Sequence, residues 1–274
     1  MHAVEENPPQ GLYPAVNMSC SQESITSPSR YAPVRQVATH FGWLPLYKSC
    51  IFLDETMRIL ITGFEPFGGQ SINPSWEVAR ALDGLHLPQA QVRAVQLPCV
   101  FAQAMTVLKR ALQDTEPDIV LALGQAEGRS DISVERIAIN IMDARIADNA
   151  GAQPIDQPVV VGGPAAYFST LPIKHLVNRL RAVGFPASVS QTAGTFVCNQ
   201  VFYALQHALA GRAVRSGFVH LPLLPEQAAH WPGPTLPSMP LSTQVAALTC
   251  ALACLCDGSV QGTGDAQITG GALN

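Results

Sequence analysis

The sequence predicts an α/β protein, a three-layer αβα sandwich around a mostly parallel central sheet. Two observations predict it. Short apolar runs that suit buried strands alternate with helical segments, a pattern that implies a parallel sheet covered on both faces. The chain has 274 residues, 47% hydrophobic and 13% charged, which supports a sizeable core. No internal repeat is visible.

The elements follow in order. "MRILITGF" (57–64) is a short apolar run typical of a buried strand. In "INPSWEVARAL", Asn73 reads as a helix N-cap with Pro74 at the first helical position. "VRAVQLP" reads as a strand. "FAQAMTVLKRALQD" places Phe101, Met105, Leu108 and Leu112 on one helical face. "DIVLALG" reads as a buried strand. The polar stretch 125–165 is longer than an ordinary connection, and long structured loops of this kind usually carry function. "PIKHLVNRLRAVG" aligns Ile173, Leu176, Val177 and Leu180 and stops at Gly184. "ASVSQT" is a strand, the segment after Cys198 a helix, "GFVHLP" a strand, and "STQVAALTCALACLC" a closing helix.

Both ends differ from this pattern. Residues 1–56 are rich in Pro and Ser without a period. They read either as a disordered extension or as sequence upstream of a start at Met57. Residues 257–274 are Gly-rich and read as a flexible tail, which leaves 57–256 as a single α/β domain.

Composition excludes several classes. A net charge of -4 leaves no electrostatic footprint for nucleic acid. No apolar run approaches the length needed to span a membrane. "FGWLPLYKSCIFL" is interrupted by Pro45 and Lys48 and lies too far in to be a secretory signal. The seven cysteines (Cys20, Cys50, Cys99, Cys198, Cys250, Cys254 and Cys256) are odd in number and irregularly spaced. That argues for reduced thiols and a cytoplasmic setting. Cys250, Cys254 and Cys256 sit on an apolar helix with no second ligand pair at zinc spacing, so no metal is expected. "TGFEPFGG" lacks the lysine of a phosphate loop, and its Phe64 and Phe67 suggest an apolar wall.

Three ionisable residues fall where an open α/β sheet binds ligands, near the carboxyl ends of strands. Cys198 follows a strand and turn at the start of a helix. There the helix dipole and unpaired N–H groups would favour the thiolate. His220 ends the strand "SGFVH" and is a candidate base. Glu135, in "SDISVERIAIN" beyond the strand "DIVLALG", is a candidate to orient an imidazole. Taken singly, each also fits a structural role: a small core cysteine, a half-buried histidine, a glutamate paired in solvent with Arg136.

Three segments taken together carry a resemblance. "MRILITGFEPFGGQSINPSWEVARAL", "LALGQAEGRSDISVERIAINIMDARIADNAG" and "SQTAGTFVCNQVFYALQH…GFVHLPLLPEQ" resemble pyroglutamyl peptidase I over about 57–256. That family of cysteine peptidases removes N-terminal 5-oxoproline from peptides. The resemblance implies Cys198 as nucleophile, His220 as acid and base, Glu135 as its orienting carboxylate, and Arg145 at the oxyanion. It implies a substrate pocket from Phe64, Phe67, Gln125, Ile146, Phe196 and Val197, with Phe64 and Phe67 sandwiching the lactam ring. It implies peptides with an N-terminal pyroglutamate as partners, no cofactor, and a homotetramer. This chain has "GQAEGR" where the family commonly has "GQAGGR", so Glu127 occupies a usual glycine position. If that position needs a positive φ, Glu127 strains the loop beside Glu135. Two other readings are a related α/β enzyme such as a nucleoside phosphorylase, which would need basic residues for phosphate, and an inactive homologue that binds pyroglutamyl peptides without turnover.

Overall fold

The computed structural model describes residues 56–257 and 269–271. The expected N-terminal extension lies outside the described residues, as does most of the C-terminal tail.

The first strand, β1 (Met57–Phe64), is buried along six consecutive residues, Ile59–Phe64. It leads into α1 (Pro74–Ala81), where Asn73 Oδ1 accepts from Ser75 N at 3.0 Å and Pro74 opens the helix. Strand β2 (His86–Leu87) and strand β3 (Ala90–Leu97) form a tight antiparallel pair. Helix α2 (Phe101–Thr115) follows, burying Phe101, Leu108 and Leu112 as expected. Ala104 and Ala111 are buried with them, while Met105 is only partly buried.

Strand β4 (Ile119–Gln125) is buried at every residue. The stretch expected to be a long loop contains β5 (Ile132–Glu135) and β6 (Ile137–Ile139), and β7 (Ala166–Phe168) begins directly after it. Helix α3 (Ile173–Ala182) buries the four residues expected of it and ends before Gly184, which has φ +91°. Strand β8 (Ala187–Ser190), helix α4 (Val197–Leu209), strand β9 (Arg215–Leu221), the short helix α5 (Pro225–Ala229) and helix α6 (Leu241–Cys256) complete the chain order.

Seven strands form one sheet in the order β2-β3-β1-β4-β9-β5-β8, and β6 pairs with β7 apart from it. Strands β3, β1, β4 and β9 run parallel, whereas β5 enters antiparallel to β9. Helices α1, α3 and α6 pack together over one face and α2 and α4 over the other, as the three-layer prediction requires. Apolar side chains on both faces of the same strands form two cores: Ile59, Ile61 and Leu121 on one side, Leu60, Val120 and Phe218 on the other.

Two consequences place the site. The parallel strands β4 and β9 are neighbours in register, with Gly124 opposite His220 and Gln125 opposite Leu221. Antiparallel β5 then brings Ser133 opposite His220, and Glu135 two residues further on faces the same side of the sheet.

Candidate active site

Cys198 is the second residue of α4, whose N-cap is Phe196. The helix starts there because "TAGTF" turns tightly: Gly194 has φ +75° and donates to Thr192 Oγ1 at 3.0 Å. Thr195 is pinned from the side, its Oγ1 donating to the Asp143 carbonyl at 2.6 Å. Asn199 clamps the start of the helix to the end of β6 and the residues after it. Its Oδ1 accepts from Ile139 N at 3.0 Å and its Nδ2 donates to the Ile139 and Ile141 carbonyls at 2.9 Å.

His220 approaches from β9. Its Nδ1 lies 2.7 Å from Oε1 of Glu135, which is wholly buried, while His220 itself is 4% exposed. With Nδ1 committed to the carboxylate, Nε2 is the nitrogen left for the thiol. Gly124 shows how close that thiol comes. It sits opposite His220, and a Cβ placed on it would meet Phe218 ring carbons at 2.8 Å and Cys198 Sγ at 3.0 Å. A glycine is required there because any side chain would displace the sulfur or the ring.

The same Oε1 of Glu135 accepts a second, charged bond from Arg129 Nη1 at 2.6 Å. Arg129 Nη2 donates to the Thr192 carbonyl at 3.1 Å. Sequence reading passed over Arg129. Its partner lies six residues away across a turn, and nothing in a lone "GRSD" announces a buried acceptor.

Burial sets the protonation states. It pushes the Cys198 thiol up to about 12, and the Glu135 charge adds to this against Arg129 and the cysteine's own N–H. Burial lowers His220 from its ordinary value, Arg129 contributes in the same direction, and the hydrogen bond and charge of Glu135 oppose it. Both directions favour thiol and neutral imidazole. The pull of the helix start toward thiolate thus works against desolvation, the largest influence on Cys198.

Cys198, His220 and Arg129 line a cavity of about 400 Å³, within the usual range for small-molecule pockets, and Glu135 is buried behind His220. Phe67, Gln125, Arg145, Ile146 and Phe196 of the expected residues line it, together with Cys198 and His220. Two do not. Phe64 is 1% exposed and packs in the core against Phe218 with ring centroids 6.5 Å apart. Val197 is wholly buried in the same core. The sandwich between Phe64 and Phe67 is thus not formed; Phe67 instead meets Phe196, centroids 6.0 Å apart, and Phe196 meets Phe101 edge-on at 5.3 Å.

Arg145 lies at the rim, with its side chain 83% exposed and Nη2 3.3 Å from Glu127 Oε1. Glu127 is not strained. It is absent from the two non-glycine residues with positive φ among those described, Glu116 and Asp156, and the left-handed position of its turn falls on Gly128 at φ +81°. Gln125 is fixed from beneath: Gln227 Nε2 donates to its Oε1 at 3.0 Å, and Gln227 Oε1 accepts from Leu224 N at 3.0 Å. Among the described residues no group of three His, Cys, Asp or Glu is arranged to hold a metal ion, and no helix is long and apolar enough to cross a membrane.

A cysteine sharing a cavity with an imidazole whose Nδ1 is held by a buried carboxylate has the chemistry of a cysteine hydrolase. A family model described as pyroglutamyl peptidase matches residues 57–257, and the chain belongs to that family. It is 57% identical over 217 residues to the pyrrolidone-carboxylate peptidase of Klebsiella pneumoniae (strain 342), covering 79% of this chain and 99% of that one. It is 58% identical over 196 residues to pyrrolidone-carboxylate peptidase 1 of Ralstonia nicotianae, covering 71% and 90%. Among solved structures, pyroglutamyl peptidase I from Bacillus amyloliquefaciens superposes with a TM-score of 0.73 at 40% identity, covering 78% of this chain and 99% of that one. A mutant pyrrolidone carboxyl peptidase from Pyrococcus furiosus gives 0.71 at 45% identity, covering 73% and 98%.

Proposed function

We propose that this chain is a cysteine exopeptidase that hydrolyses the amide bond after an N-terminal pyroglutamyl residue. The observation that carries the reading is the buried Glu135–His220 pair, 2.7 Å apart, with His220 lining the same cavity as Cys198 in a member of the family.

The thiol and imidazole start neutral, so attack and proton transfer occur together. Cys198 Sγ bonds to the pyroglutamyl carbonyl carbon as His220 Nε2 takes the thiol proton. Glu135 holds the tautomer and supports the imidazolium. The carbonyl oxygen becomes an oxyanion, stabilised by amide N–H groups of the first turn of α4, which have no acceptor within the helix. Arg145 adds positive charge from the rim. The C–N bond breaks, the amine leaves with the proton from His220, and an S-acyl enzyme remains. Water then attacks the thioester, with His220 again taking and returning a proton, and pyroglutamate is released. No step calls for a metal or organic cofactor.

Specificity follows from the lining. Phe67, Phe196 and Ile146 give apolar walls for a small flat lactam. Its ring N–H and C=O need polar partners near Gln125, because leaving an amide unpaired in such a site costs about 2–7 kcal/mol. An N-terminal Glu or Gln brings an ammonium group that these walls reject. The test is amine release from pyroglutamyl, prolyl and glutaminyl amides of one fluorophore. Cleavage of the pyroglutamyl amide alone is expected; equal cleavage of the prolyl amide would defeat the assignment.

The setting is cytoplasmic in this reading, where the thiol stays reduced. The assembly is a homotetramer. Support comes from exposed apolar side chains on the segment between β6 and β7 and on β7 itself: Ile155 at 72%, Val161 at 87% and Phe168 at 68%. Light scattering on the eluting protein checks the mass.

A further inference from the structure

We infer that Arg129 is a positioning residue of this site: its guanidinium binds Glu135 with one nitrogen and the Thr192 carbonyl with the other, tying the carboxylate that orients His220 to the loop that delivers Cys198. The inference rests on the peptidase reading above.

The geometry leaves Glu135 little other support. Its side chain is wholly buried, Oε1 takes both the Arg129 and His220 bonds, and Oε2 has no hydrogen-bond partner among the described residues. A carboxylate removed from water is costly unless a cation or several donors meet it. Arg129 is that cation. Its side chain is 28% exposed and lines the cavity, so its charge is only partly screened. The other titratable or charged groups on the cavity wall are His220, Cys198, Asp143 and the rim pair Glu127 and Arg145. Of these, Arg145 is already engaged by Glu127.

The second nitrogen matters as much. Thr192 begins the turn that ends in Cys198, and its carbonyl takes bonds from both Arg129 and Ser190 Oγ, at 3.1 Å each. One planar fork thus spans β5 and the loop before α4, which arrive from separate parts of the chain. A lysine can supply the charge but presents no such fork.

Arg129 also enters the proton balance. Burial is the main cause that lowers His220, and Arg129 adds to it; burial chiefly raises Cys198, and Arg129 opposes that. Removing the cation therefore raises both groups. The imidazole then stays protonated to higher pH, and the thiol ionises at higher pH.

The experiment uses the full chain with Arg129→Met and Arg129→Lys. It measures kcat and KM on a pyroglutamyl coumarylamide from acid to alkaline pH. Separately it measures the rate of Cys198 alkylation by iodoacetamide across the same range, read by mass spectrometry of the Cys198 peptide. Arg129→Met is expected to lower kcat by about 10- to 100-fold with KM changed less than about threefold, and to move the acid limb of activity upward by about one pH unit. Its alkylation profile moves the same way, a readout that needs no turnover and survives even if the substrate is misassigned. Arg129→Lys keeps the acid limb in place while losing part of kcat. A folded Arg129→Met with an unmoved acid limb and unmoved alkylation profile overturns the inference. If Arg129→Met does not fold, an Arg129→Lys whose acid limb has moved upward overturns it equally, because the charge is retained there.

Discussion

Two arginine–carboxylate pairs border the same cavity and differ in almost everything else. Arg129 and Glu135 meet at 2.6 Å with the acid wholly buried. Arg145 and Glu127 meet at 3.3 Å with side chains 83% and 47% exposed. Water and salt screen the rim pair, whose worth is typically about 0–1 kcal/mol. The inner pair sits where losing one partner strands the other, which costs about 3–5 kcal/mol in buried pairs. The difference teaches that charge in this site acts by location: the inner cation orders the machinery, and the rim cation only adds to the field.

The sharpest way to break the contrast is Glu135→Gln. It keeps the shape but removes the charge that holds the His220 tautomer. kcat should fall by about 10³- to 10⁴-fold with the protein folded, as judged by circular dichroism and amine release. A drop below tenfold would mean that the inner cluster does not orient the base.

Gly124→Ala tests the closeness of sulfur, ring and strand. The added methyl meets Phe218 at 2.8 Å and Sγ at 3.0 Å. Overpacking should cost about 1–3 kcal/mol, seen as a melting temperature lower by several degrees. Activity should fall at least about tenfold because Sγ is displaced from the reacting geometry.

At the rim, Arg145→Met should lower kcat by only about tenfold, less than a rigid oxyanion donor would. Its effect should shrink toward 1 M salt, where screening acts over about 3 Å, while the effect of Glu135→Gln persists. Smallest of all, Glu127→Gln should change kcat/KM by less than about threefold. The pH profile gives a further check. With His220 lowered chiefly by burial, the imidazole is neutral at lower pH than usual, so the acid limb of kcat/KM should lie below about 6.5. A limb above that value would contradict the buried neutral base.

The same contrast explains what was legible in the sequence. Local pattern was legible: Asn73 and Pro74 opened a helix, Ile173, Leu176, Val177 and Leu180 shared a face, and Cys198 stood at a helix start. The resemblance names Glu135, His220 and Cys198, and the structure brings the first two into contact and puts the third in the cavity that His220 lines. Side-chain direction was not legible. Strand β1 is buried on both faces, so no polar alternation tells which way Phe64 points, and it points into the core. Val197 is the first residue of a helix whose buried side the tight turn before it selects. "ISVE" is too short to show a period in the sequence, yet it forms the strand β5 that ends in Glu135 and pairs with β9. Arg129 and Gln227 were missed because their roles depend on partners from other strands and loops, as Gln227 shows by gripping Gln125 from α5.

One measurement tests the central claim most directly: release of a fluorogenic amine from its pyroglutamyl amide by the full chain and by Cys198→Ala, both reduced and folded. The account predicts turnover by the first and none above the uncatalysed rate by the second. Equal turnover by both would remove Cys198 as nucleophile, and no turnover by either would contradict the peptidase reading.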